Sequence, residues 1–372
     1  MTWEHQRGVE PLVAASRAWC KERDRPEPRW TTRSLQAFEE QPLAELAEQF
    51  DLLVIDHPHV GVATESLLVP LDRCGRDREL EDLRAASLGP SLPSYVHSGA
   101  LWALPIDGAA QVCAFRADLL DPPPSTWAEV LDLAVAAPLE IPLRPPHALL
   151  TLLSLTASLG GADAEGDVLI TPDAGDQALT VLAALVARIP SRCLDDDPIV
   201  AHERLAGGHS VCVPAVFGYS SYGRAGFREH QVSFADLPTL GPDDGGGSVL
   251  GGTGIAVSAR SPLREDALDF AYWVASERVQ STVVVENGGQ PAHRAAWLNP
   301  VYNQMTGGFP SGTLRTHDRA WVRPRHSGWL AVQERGSSLL QDWLRSGATG
   351  CTGRLIARLN DLHAASRPAG PR

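Results

Sequence analysis

At 372 residues, the chain has the length of two domains or of one large composite one. Its 44% hydrophobic and 21% charged residues exclude a disordered chain, a fibre and a small disulfide-stapled scaffold. Asp and Glu (45) outnumber Lys and Arg (32), and the resulting formal charge of −13 argues against nonspecific binding to nucleic acid or anionic membrane, both of which need basic patches.

The opening predicts a short strand at Thr2–His5 and a helix from Val9 to about Glu22. Its only apolar stretch, Leu12 to Trp19, is broken by Ser16 and Arg17, so no secretory signal is read there. No window reaches the ~18 apolar residues of a membrane span. As written, the sequence predicts a cytoplasmic protein without membrane insertion; a removed export segment would make it extracytoplasmic. The cysteines are Cys20, Cys74, Cys113, Cys193, Cys212 and Cys351. None stands at C-x-x-C spacing, so no zinc-ribbon or thioredoxin-like site is expected, and they read as small buried hydrophobes.

Further along, Pro28–Arg33 is expected to be a strand, Leu43–Phe50 a helix, and Asp51-Leu-Leu-Val-Ile-Asp56 a buried parallel strand. That alternation means βαβ units with right-handed crossovers. Two strands follow, Trp102–Asp107 and Gln111–Phe115. Ser125 or Thr126 caps a helix running to Ala137. Leu139–Leu143 reads as a strand, and Pro145, Pro146 and His147 open a long apolar helix. Gln177–Arg188 is an amphipathic helix. Ser210–Ala215 is a strand leading into the aromatic segment Phe217-Gly-Tyr-Ser-Ser-Tyr-Gly223. The stretch from Gly241 to Gly254 is the richest in glycine and ends in a turn feeding the strand Gly251–Ser258, before a helix at Arg264–Ser276. From about Ser366 the tail is expected to fray. Neither G-x-G-x-x-G before a helix, G-K-[ST], G-x-S-x-G nor H-E-x-x-H occurs, so no cofactor and no metal is called for.

Several of these segments, in this order, resemble the family 1 extracellular solute-binding proteins, the maltose-binding-protein-like receptors of ABC importers. The likeness lies in Phe50–Asp56 with Leu68-Val-Pro-Leu-Asp72, in Leu101-Trp-Ala-Leu-Pro-Ile-Asp107 and in Pro123-Pro-Ser-Thr-Trp127-Ala-Glu129. It continues in Gly252-Thr-Gly-Ile-Ala-Val-Ser258, in Phe270-Ala-Tyr-Trp273 with Gln280, and in Gly288-Gly-Gln-Pro-Ala-His-Arg294. The resemblance implies an α/β periplasmic-binding-protein-like fold of type II, with two lobes joined by hinge strands and a ligand cleft between them. Lobe 1 would hold residues 1–108 and 255–300, lobe 2 residues 109–254, and 301–372 would be a helical segment packed on the lobes. It further implies binding of a sugar, sugar acid or other polar or anionic solute, with an ABC permease as partner if the chain is exported and no nucleic-acid partner.

Ligands of open parallel sheets sit beyond the carboxyl ends of strands. With the strand order 2-1-3 that the resemblance implies, His5 and Arg7, Arg33, and Asp56, His57 and His59 converge on one wall, with Asp107, Gly252 and Thr253 near the lobe crossings. Three readings of the wall stay open. Arginine and histidine could grip an anionic or hydroxyl-rich ligand; His5, Asp56, His57 and His59 could ligate a metal; or Asp56 simply caps a turn. From the other lobe come His147 at a helix start, where anions bind readily, and Phe217, Tyr219 and Tyr222, which either stack on a ring or pack beneath their loop. The alternative function is a cytosolic enzyme on the same scaffold, in the manner of thiaminase I, with His5, Asp56, His57 and His59 as acid–base groups. A weaker option is an intracellular sensor.

Overall fold

The computed structural model describes residues 1–34, 37, 41–240 and 247–368. The first part of the glycine-rich stretch, 241–246, and the end of the tail, 369–372, lie outside the described residues.

The chain opens with β1 (Thr2–Trp3), α1 (Gln6–Arg23), β2 (Thr32–Arg33), α2 (Leu43–Gln49) and β3 (Leu52–Ile55). Helix α1 forms because Leu12, Ala15 and Trp19 fall at helical spacing on one face and are buried there. β1 pairs in parallel with β2. Backbone hydrogen bonds from Met1 N to Leu52 O (2.8 Å) and from Val54 N to Met1 O (3.1 Å) join it to β3, so the order at this edge is 2-1-3. The strand predicted at Pro28–Arg33 shrinks to its last two residues, since Pro28 has no N–H to give a ladder.

After α3 (Asp77–Ala85) the chain enters β4 (Leu104–Phe115), twelve residues buried throughout. The two strands expected here are one. Gly108 stays extended between them, its N–H donating to Gln290 O and its carbonyl accepting from Gln290 Nε2. Then follow α4 (Trp127–Ala136), α5 (His147–Ser158), α6 (Pro172–Val186), α7 (Pro198–Ala206), β5 (Cys212–Phe217), β6 (Ser233–Ala235) and β7 (Leu250–Val257). Thr126 caps α4 in a capping box with Glu129. Leu139–Leu143 is not a strand. Only Leu139 bridges to Cys212; beyond it Leu143 N turns to Cys193 O and Arg144 N to Asp196 O, while Pro142 has no donor. The chain closes with α8 (Arg264–Ala275), α9 (Phe309–Asp318), α10 (Trp329–Arg345) and α11 (Thr352–Ser366).

Two compact units result, Met1–Ala109 with Gly251–Tyr302, and Ala110–Leu250 with Asn303–Arg372. In the first, β7 lies between antiparallel β3 and the first half of β4, over a core that includes Trp19, Leu53, Ile55 and Phe270. In the second, the rest of β4 lies between β5 and β6, both antiparallel to it. Its core draws on Trp127, Leu149, Leu182, Trp329 and Leu355. Residues 303–372 thus belong to the second unit. No described helix is long and apolar enough to cross a membrane.

Candidate functional site

In the first unit, α1 starts where β1 ends, with His5 as its cap: His5 Nδ1 accepts from Arg7 N at 3.0 Å. That start directs the Arg7 guanidinium onto Asp107 of β4. Nε donates to Oδ2 at 2.7 Å and Nη2 to Oδ1 at 2.5 Å. Arg7 is 4% exposed and Asp107 7%. Burial holds the Asp107 carboxyl above the usual carboxylate range, and the adjacent guanidinium offsets only part of that rise. The two-point geometry is that of an ionised pair. Beside it β7 passes through Gly252, whose φ is +87° and whose missing Cβ would lie 2.2 Å from Asp107 O; only glycine fits there. The next residue, Thr253, is buried, and its Oγ1 has no hydrogen-bond partner among the described residues. A cavity of about 20 Å³ among Trp3, Arg7, Asp107, Thr253 and Gln290 has room for about one water.

At the end of β3, Asp56 Oδ1 accepts from His57 N at 2.8 Å and caps a 3₁₀ turn over His57–Val62. His57 Nδ1 lies 3.2 Å from the same carboxylate, and His59 Nδ1 is 3.1 Å from Asp56 O. Both imidazoles are buried, that of His57 with its edge toward Tyr95 at 6.4 Å.

In the second unit, His147 opens α5 behind Pro146 and is 1% exposed. Neither ring nitrogen has a hydrogen-bond partner among the described residues. Burial pushes its pKa down to about 3 against the opposing charge of Asp197, with Arg144 and Arg323 adding to the fall, so the ring is neutral. Phe217, half-buried, presents its ring to His147 at 6.3 Å. Tyr219 packs on His202 at 5.5 Å; Tyr222 is fully buried, 4.8 Å from the same imidazole, and donates to Glu203 at 2.7 Å.

No protein-family profile matches the chain, and no curated protein matches it. Solved structures do. A solute-binding protein of an ABC transporter from Agrobacterium radiobacter K84, in complex with ribitol, is 17% identical with a TM-score of 0.79, covering 96% of each chain. Maltose-bound MalE3 of T. maritima is 18% identical with a TM-score of 0.78, covering 95% of each. A third solute-binding protein, from Agrobacterium vitis S4 with bound D-mannitol, is 16% identical with a TM-score of 0.75 over 94% of this chain and 93% of that one. The chain has the solute-binding-protein fold.

On this fold the expected wall assembles only in part. Arg7 and Asp107 come together, but on each other: the carboxylate that Arg7 grips is the protein's own. Arg33 departs from the group, since its guanidinium stacks over Phe50, 5.3 Å from the ring, at the amino end of β3. Asp56 caps the turn that follows it. Among the described residues, the group of three possible metal ligands whose donor atoms lie within 4.8 Å of one another is Glu140, Cys193 and Asp196 in the second unit. There Arg192 pairs with Glu140 and Arg204 with Asp196, so both carboxylates already have counter-charges. Of the candidate acid–base groups, Asp56 and His57 lie side by side, 3.2 Å apart. His147 does stand at a helix start, as a buried neutral ring, and Arg144 beside it pairs with Asp197 at 3.2 Å. Tyr222 packs beneath its loop.

Sequence reading missed His202 and Gln290. His202 was findable, because it shares the apolar face of α7 with Ala201 and Leu205. Gln290, which holds Gly108 beside Asp107, lies inside the Gly288–Arg294 motif, but nothing in that motif tells which strand its side chain reaches.

Proposed function

We propose that this chain is a ligand receptor of the ABC-importer type, binding a neutral polyhydroxy solute, a polyol or small sugar, with His5, Asp107, Gly252 and Thr253 as candidate contacts in the first unit and, separately, His147 and Phe217 in the second. The observation that carries the reading is a likeness over about 95% of the chain to proteins crystallised with ribitol, maltose and mannitol. The site chemistry supports the neutral class within it. Arg7 is neutralised by Asp107 and His147 is uncharged, so the polar groups offer hydrogen bonds without the surplus positive charge an anion needs. If the chain works in import, an ABC permease is its partner.

The test is a thermal-shift series with ribitol, mannitol, maltose and the corresponding sugar acids, followed by mass spectrometry of the recovered ligand. A ligand at ~100-fold excess over its Kd stabilises by about 2.7 kcal/mol. The expected result is a shift with a polyol or sugar, a weaker one with its acid, and recovery of the ligand unchanged. Preference for the acids would overturn the neutral class, and a chemically altered ligand would make the protein an enzyme.

A further inference from the structure

Two of the six cysteines touch. Cys113 on β4 and Cys212 on β5 stand on neighbouring antiparallel strands of the second unit with their Sγ atoms 3.6 Å apart. Cys212 is in register with Phe115, so Cys113, two residues earlier, projects from the same face of the sheet. The register shifts between Val112 and Ala114, a bulge that bends β4 where Cys113 sits. Both side chains are completely buried. The other cysteines differ: Cys20 and Cys74 are half-buried, Cys351 is exposed, and Cys193 donates to the Glu140 carboxylate at 3.3 Å.

We propose that Cys113 and Cys212 are an oxidisable pair that closes into a disulfide between β4 and β5 when the chain folds in the presence of a small-molecule disulfide. The thiolate of one cysteine attacks a sulfur of the oxidant and releases one thiol. The second cysteine's thiolate then attacks the mixed disulfide and releases the other. Two protein S–H bonds are lost and one S–S bond is made, while the oxidant takes up two electrons and two protons as two thiols. Closure brings the sulfurs from 3.6 Å to the ~2.05 Å of a disulfide.

Burial sets the timing. In the folded unit neither sulfur meets solvent, and the Cys113 contact together with burial pushes the Cys212 thiol well up, so the finished fold neither gains nor loses the bond readily. The bond forms while the strands are pairing, and its presence records whether the chain folded in an oxidising or a reducing compartment. This inference stands independently of the ligand reading.

The experiment is to denature and reduce the full chain, refold it in reduced and oxidised glutathione or in dithiothreitol, alkylate, and map the folded fraction by mass spectrometry of non-reduced peptides. A second protein, C20S/C74S/C351S, removes the thiols most able to scramble. In both proteins the glutathione sample is expected to yield the Cys113 and Cys212 peptides joined and two hydrogens lighter. Its thermal midpoint is expected to lie roughly 5–10 °C above the dithiothreitol sample, given a closed loop of about a hundred residues. Three results would each overturn the proposal: folded protein with both cysteines alkylated, either cysteine joined to a different one, or a midpoint indifferent to the reductant.

Discussion

Arg7 and Asp107 carry two charges out of water, a step that costs several kcal/mol per ion before their attraction offsets it. Removing one partner leaves the other charge buried alone. Arg7→Met is therefore expected to destabilise the chain by ~3–5 kcal/mol, and the double variant Arg7→Met/Asp107→Leu to recover most of that loss. Urea unfolding measures both, and a loss under ~1 kcal/mol in the single variant would mean the pair is not ionised. His147 gives a second expectation. Its pKa falls from the 6.5 of an unfolded chain to about 3 on folding, so the unfolded state binds the proton more readily. Its contribution is complete above pH 6.5 and is lost as pH falls towards 3, about 2 kcal/mol of it between pH 7 and pH 5. In His147→Gln, unfolding free energy measured at those two pH values should differ by about that much less than in the native chain; an unchanged difference would place the acid sensitivity elsewhere. Little of this was legible in the sequence. Arg7 stood out as a basic residue beyond a strand, but its partner lies 100 residues away, and no local pattern announces a pairing at that range.

At the scale of elements, legibility follows how local the cause is. The run from Asp51 to Asp56 reads as a buried strand because its own apolar content decides the outcome, and Ser125 or Thr126 reads as a cap because prolines precede the pair and a helix follows; the structure settles on Thr126. Leu139–Leu143 has the same apolar look, yet after Glu140 N donates to Cys212 O the next bond, from Leu143 N, goes to Cys193 O, and no strand forms. Gly252 could be read as a turn glycine, whereas its closest constraint is the backbone of Asp107 on the neighbouring strand. With φ at +87° and a Cβ position 2.2 Å from that carbonyl oxygen, Gly252→Ala must either shift β7 away from β4 or distort its own backbone. A loss of ~2–4 kcal/mol is expected from the two effects together. Thermal or urea unfolding checks it, and a neutral substitution would mean the strands separate there at little cost.

On the scale of the whole molecule, the chain crosses between its two units three times, and the last crossing decides what the C-terminal helices are for. Residues 301–372 invite reading as a cover laid over a finished fold. The packing says otherwise: Trp329, Val332 and Leu340 from α10 and Leu355, Ile356 and Leu359 from α11 are members of the second unit's core, buried together with Leu149 and Leu152 of α5 and Leu182 of α6. Gly336 brings α10 close enough that a Cβ there would meet Leu149 and Leu359 at 3.2 Å. Six large side chains from these two helices, at ~1.5–3 kcal/mol each on burial, contribute an amount comparable to the whole 5–15 kcal/mol by which a typical protein is stable. A chain ending at His326 retains every residue of the first unit. It is expected to lose the cooperative unfolding of the second unit and to expose α5 and α6 to proteolysis, while segments 1–109 and 251–302 stay protected. Calorimetry with limited proteolysis distinguishes the cases. A truncated chain whose second unit still unfolds cooperatively and resists protease would show that α4 to α7 and their strands make a sufficient core without the last two helices.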